Sequence, residues 1–232
     1  MCFTSKDSIQ AYACGTVSAV ILLCVARHHK DVHSRRDWAV FALFLLYATQ
    51  MQMIDFLLYK CINEPHRMQM NRLVTTVGGL LLTSQPLVFL VLVRLVYQRR
   101  INTWLIWITC LHAITSLDLL VCSWGSHTSA RREGNKCFPD WNWYRNRGRV
   151  ATLNGYTHLT ILTAAGGMFF QTIQARVTYV LLCFGMYVTS YAKYRHIDVG
   201  RFWCYLVPLM APFVALVSVW SVRSHHHQQG PE

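Results

Sequence analysis

Apolar residues along this chain come in long blocks, and short clusters of charge separate them. Seven blocks stand out, at about residues 9–26, 38–59, 71–97, 103–124, 151–173, 177–192 and 202–222. Most approach the ~20 residues at ~1.5 Å rise each that a helix needs to cross a bilayer. The pattern predicts an all-α fold, a polytopic membrane helical bundle of seven transmembrane helices in one domain, residues 1–222. Residues 125–150 read as a long basic, aromatic loop and 223–232 as a polar disordered tail. The count falls to six if the fifth block is re-entrant or if the first is a cleaved secretory signal. Lys6 before the first block and Cys24-Val25-Ala26 at its end suit a signal, while Gln10, Thr16 and Ser18 are polar for one.

The third block is the one around which the others are expected to gather. Its run NRLVTTVGGLLLTSQPLVFLVLVRLVY carries a polar notch, Thr83-Ser84-Gln85-Pro86, near the middle. Water cannot reach a glutamine amide, or a carbonyl freed by proline, inside hydrocarbon. Neighbouring helices must therefore satisfy them, and Gln85 is expected to face the bundle interior. Gly78-Gly79 and Ala164-Ala165-Gly166-Gly167 read as sites of close helix approach, since small residues let backbones meet.

Composition agrees with this picture. Hydrophobic residues make up 53% and charged residues 14% of the 232, where a soluble domain has roughly a quarter charged. The formal charge of +12 comes from Lys and Arg clustered between apolar blocks, as in Arg35/Arg36, Arg99/Arg100 and Arg131/Arg132. Such clusters suit anionic lipid headgroups, and nucleic acid is not an expected partner. With seven spans the amino terminus and the 125–150 loop share one face. Lys/Arg tallies of about 12 there and about 8 opposite leave the positive-inside rule nearly balanced. Cys61 and Cys137, the two clear loop cysteines, fall on that same face and form a candidate disulfide. A bridge would need an oxidising compartment, so the amino terminus is expected outside or lumenal.

Ionisable groups inside spans mark candidate function. Measured from the face with the long loop, Asp55 lies about 7 Å deep, Asp118 about 9 Å, His158 about 10 Å, His112 about 18 Å and Gln85 about 20 Å. The shared depth of Asp55, Asp118 and His158 suggests one polar cavity under the loop. Gln52 lies three residues before Asp55 and shares its helix face. The plainer alternative is that each sits at the membrane interface beside loop groups.

Several chemistries are disfavoured. The five lysines lie in loops or at helix ends, so no Schiff-base lysine is present within a span. H-E-x-x-H, C-x-x-C, G-x-S-x-G, Walker A and G-x-G-x-x-G are all missing. No catalytic residue, metal site or cofactor is therefore expected. The span count and paired loop cysteines resemble heptahelical receptors, yet D-R-Y and N-P-x-x-Y are missing too. The expected function is a non-enzymatic seven-helix sensor or receptor-like bundle taking a small ligand or ion. The alternatives are a small proton or cation transporter or channel using the intramembrane Asp and His groups, and less readily a membrane assembly subunit or intramembrane enzyme.

Overall fold

A computed structural model describes residues 4–62, 64–133, 136–141, 146–185, 188, 212–214 and 216–220, the side chains of 131–138 excepted. Helix α1 spans Ser5–His28 and starts where Thr4 Oγ1 accepts the N–H of Asp7 at 3.0 Å. This cap extends the helix four residues ahead of the apolar block, to a length of about 36 Å. Its buried stripe is mostly small: Ser8, Ala11, Gly15, Ser18, Ala19, Leu22 and Ala26 recur every three or four residues. That spacing lets α2, Val32–Ala48, pack closely as the second arm of a helical hairpin.

Asp31 caps α2, its carboxylate accepting from His33 N at 3.2 Å and Ser34 N at 2.7 Å. The second apolar block is not one smooth helix. At Thr49 it passes into α3, Gln50–Cys61, and the cause is local. The Thr49 hydroxyl and the Gln50 side-chain amide both donate to Leu46 O, at 2.9 and 3.0 Å. They compete there for the carbonyl that the helix would give to the Gln50 N–H.

After a 3₁₀ turn at Pro65–Arg67, α4 runs over Met68–Tyr97 and continues through Pro86. It stops at Gln98, whose φ of +53° is left-handed and whose N–H returns to Arg94 O. Asn102 caps α5, Thr103–Ser123. The region expected to be a plain loop contains a β-hairpin, β1 Ser129–Glu133 and β2 Lys136–Asp140, antiparallel with Ser129 opposite Asp140 and Glu133 opposite Lys136. Then α6 spans Gly148–Phe169 and α7 spans Ile173–Gly185. The fifth block thus ends, and the sixth begins, four residues earlier than expected, because Phe170 adopts an extended conformation. Of the last block only 212–214 and 216–220 are described, as helix; the rest of it, residues 189–192 of the sixth block and the tail lie outside the described residues.

Among the described residues four helices are long and apolar enough to cross a membrane: Ser5–His28, Val32–Cys61, Pro65–Tyr97 and Thr103–Ser123. Helix α4 packs against α2, α3, α5 and α6, so the third block is central as expected. Contacts define two ends of the bundle. At the hairpin end Asn71, near the start of α4, bonds Thr128 just before β1: its Nδ2 donates to Thr128 O at 2.9 Å and its Oδ1 accepts from Thr128 N at 2.8 Å. At the opposite end Tyr97, closing α4, meets Asp37 near the start of α2.

Two glycines take the close approaches expected of them. A Cβ on Gly78 would strike the Trp141 ring and come within 2.7 Å of Ile54 Cγ2. One on Gly166 would strike the Tyr179 ring. Tyr179 is also stacked on Phe89 at 5.0 Å and edge-on to Phe41 and Phe170, an aromatic core shared by α2, α4 and α7. Gly166→Ala is therefore expected to lower stability by about 1–3 kcal/mol through overpacking, read as a drop in the unfolding midpoint of the solubilised protein. Gly167→Ala, whose Cβ meets its nearest side-chain atom at an ordinary 3.8 Å, should change it far less.

The Asp31 cap has its own pH signature. Hydrogen bonds from Ser34 hold its carboxyl below the usual 3.8. The lowered folded value means the cap stabilises above the ordinary value and fades as pH falls through the lowered one. Asp31→Ala should cost about 1 kcal/mol near neutrality. The gap to the parent protein should narrow in unfolding scans taken below that ordinary value.

Candidate functional site

The polar notch of α4 is met from two sides. Ser84 Oγ lies 2.6 Å from Tyr47 Oη on α2. From the other side His112, fully buried on α5, places Nε2 at 2.9 Å from the backbone oxygen of Thr83. A carbonyl can only accept, so Nε2 carries the proton and donates. Pro86 has no N–H to give Leu82 O, and Thr83 O, the next carbonyl along, is the one that takes the imidazole.

The other ring nitrogen belongs to α6. Nδ1 lies 3.0 Å from Thr157 Oγ1 and 3.3 Å from Asn154 Nδ2. The Asn154 amide also reaches Thr115 Oγ1 at 3.0 Å and Ser116 Oγ at 2.9 Å on α5. Thr157 Oγ1 has a second neighbour, Asn154 O at 2.9 Å. Its single hydroxyl proton serves either the imidazole or that carbonyl. With His112 neutral, Thr157 donates to Nδ1. With His112 charged, Nδ1 donates to Thr157, which turns its proton to Asn154 O. Both protonation states find a complete set of partners, which a fixed pair of acceptors would not allow. His158, one turn from Asn154, stands edge-on to the His112 ring, with centroids 5.7 Å apart.

The groups expected to share one cavity have different surroundings. His158 is with His112. Asp118 is half-exposed and faces Arg147 at 3.5 Å, and the same guanidinium Nε–H donates to Cys122 Sγ at 2.8 Å. Asp55 and Gln52 are buried on one face of α3, a helix packed against α1, α4 and β2. Gln85 is buried as expected, and its Oε1 has no hydrogen-bond donor among the described residues. Of the candidate disulfide pair, Cys61 is a free thiol among the described residues, enclosed at the end of α3. The Cys137 backbone lies in β2, paired with Arg132, and its side chain lies outside the described residues.

Sequence reasoning missed a second buried polar centre, at the end opposite the hairpin. Asp37 is fully buried beside Trp38. Its carboxylate accepts from Tyr97 Oη, from the backbone N–H groups of Gln171 (3.0 Å) and Thr172 (2.7 Å), and from the Thr172 hydroxyl (2.8 Å). Thr172 Oγ1 in turn lies 3.4 Å from Ala175 N in the first turn of α7. A side chain of α2 thus serves the amino-terminal donors of α7. The signal in the sequence was an aspartate immediately before an apolar run, in a stretch otherwise crowded with basic residues. Compared with known proteins, the chain matches no family model, no curated protein and no solved structure.

Removing one partner of either centre leaves the rest buried without bonds. Asn154→Ala should destabilise by about 1–3 kcal/mol, and His112→Ala by a similar amount. Because the two side chains share partners, the double variant should cost clearly less than the sum, by about 0.5 kcal/mol or more. Additive unfolding free energies would show that the network does not act as one unit.

Proposed function

We propose that this chain is a multi-pass membrane protein, a non-enzymatic seven-helix sensor or receptor-like bundle whose responsive element is the His112 centre. The observation that carries the reading is the hydroxyl of Thr157, poised between the imidazole and a carbonyl, which lets one buried site accept two protonation states. The membrane setting rests on the four long apolar helices and on the outward-facing Trp107, Ile114, Leu117 and Val121 of α5. Helices α6 and α7 and the last apolar block complete the proposed seven. Three helices meet at His112, so a change in its charge, or a small polar ligand or ion competing for its partners, alters how α4, α5 and α6 are fastened. The hairpin and Trp141 form the cap over one end of this interior.

A small proton or cation carrier is the second reading. It is favoured by the buried Asp55 and Gln52 and by Gln85 Oε1, a polar interior that extends beyond the His112 network.

One preparation separates the two. The protein is reconstituted in phosphatidylcholine vesicles holding a pH-sensitive dye, and its unfolding midpoint is followed from pH 5 to 8. A sensor is expected to show a pH-dependent midpoint that His112→Gln flattens, with no proton or cation flux. His158 is the ring beside it, so His158→Gln should shift the profile and keep its shape. Flux that disappears in Asp55→Asn would establish the carrier instead. A midpoint profile unchanged in His112→Gln would remove the sensor reading.

A further inference from the structure

The end of the bundle opposite the hairpin carries Arg27, Lys30, Arg35, Arg36, Arg99 and Arg100, and all six are exposed. None of their side chains has a hydrogen bond or ion pair among the described residues. Among the described residues the two acidic side chains of this end are already occupied: Asp31 caps α2, and Asp37 is buried under Tyr97 and Thr172. At that same end Arg176 alone of the described cations donates to the protein, to Phe170 O, whereas the hairpin end is mixed: Lys6, Arg72 and Arg149 are exposed there without a partner among the described residues, and three other cations have one. Lys60 lies 5.5 Å over the Phe56 ring, Arg67 donates to Lys60 O at 3.0 Å, and Arg147 pairs with Asp118.

The free cations are also held on a firm base. Asp37 joins the start of α2, the end of α4 and the α6–α7 link at one point. Beside them on the outer surface are the exposed apolar side chains Leu95, Trp104 and Trp107. Unpaired guanidinium groups next to an outward apolar belt, on a pinned framework, match the edge of a bilayer. We infer that this end binds the anionic headgroups of one membrane leaflet, with the guanidinium groups donating to lipid phosphate oxygens. Anionic lipid concentrates in the cytoplasmic leaflet, so this end faces the cytosol and the amino terminus lies on the other side. The inference rests on the membrane reading above, and its test is separable from that reading.

The probe is an equal mixture of phosphatidylglycerol and phosphatidylcholine offered to the detergent-purified protein, with retained lipid counted by native mass spectrometry. Folding of each variant is checked beforehand by its elution profile. Retention of lipid of either kind speaks to the membrane reading; preference for the anionic lipid speaks to this one. The parent protein should prefer phosphatidylglycerol. At roughly 1 kcal/mol per basic residue near an anionic surface, the combined Arg35→Gln, Arg36→Gln, Arg99→Gln, Arg100→Gln variant should lose at least about tenfold of that preference. The matching Arg→Lys variant should keep most of it, and Arg67→Gln with Arg72→Gln at the hairpin end should leave it unchanged. Raising salt should weaken the preference of the parent protein even if the glutamine variant does not fold. The inference is overturned by equal retention of the two lipids, by equal loss in the hairpin-end variant, or by salt-independent preference. Displacement of the lipid by millimolar inorganic phosphate would overturn it as well, by making the occupant a soluble anion.

Discussion

The imidazole of His112 meets the carbonyl of Thr83 beside the one proline of α4, and three helices are held in register by that meeting. A polar group enclosed by apolar helices has no water to fall back on, so each donor must be matched to an acceptor within the bundle. Nonpolar packing alone discriminates poorly between rotations of one helix against another. A hydrogen bond between a ring nitrogen and a single carbonyl does discriminate, because a turn of ~100° per residue takes the partner out of reach. Thr157 and Asn154 fix α6 against α5 in the same way, and Tyr47 with Ser84 fixes α2 against α4.

The two ends are fastened by different means. At one, Asn71 exchanges two hydrogen bonds with the backbone of Thr128, and the Trp141 ring fills the space a side chain at position 78 would take. At the other, a single carboxylate gathers four donors from two other parts of the chain. The middle, by contrast, is held by neutral groups, several of which can either give or accept a proton. A rigid frame around a protonatable centre is the arrangement in which a small electrical change has the least slack to dissipate into.

Much of this could be read from residues alone. The central place of α4 followed from Gln85 and Pro86, whose needs had to be met by neighbours, and Gly78 and Gly166 are packing sites as their surroundings suggested. His112 was found because a histidine deep in an apolar run is costly. Its partners were not found, because threonine, serine and asparagine on a helix look the same whether they bond their own backbone or a neighbouring helix. Asn154 sits within one apolar block and is the group that joins it to another. Depth along an axis is legible from counting residues, whereas rotation about that axis is not. Asp118 and His158 therefore appeared at one level, while the structure gives Arg147 to one and His112 to the other. The hairpin was not read, because any alternation in its strands is hidden by the basic residues of that stretch. The break at Thr49 was invisible to hydropathy, since it depends on two side chains competing for one carbonyl.

The carboxylate of Asp37 also sets an order of events during synthesis. It is made early, in the second helix, and at first has only the groups nearby in sequence. The phenol of Tyr97 arrives sixty residues later, and the Gln171 and Thr172 donors some 135 residues after Asp37 itself. Until that link is made, every shorter chain holds a carboxyl group with most of its bonds missing. A chain that stalls or is truncated before residue 171 is therefore chemically distinguishable from a finished one, at a site far from the break. Completion of the fold is registered in its second helix.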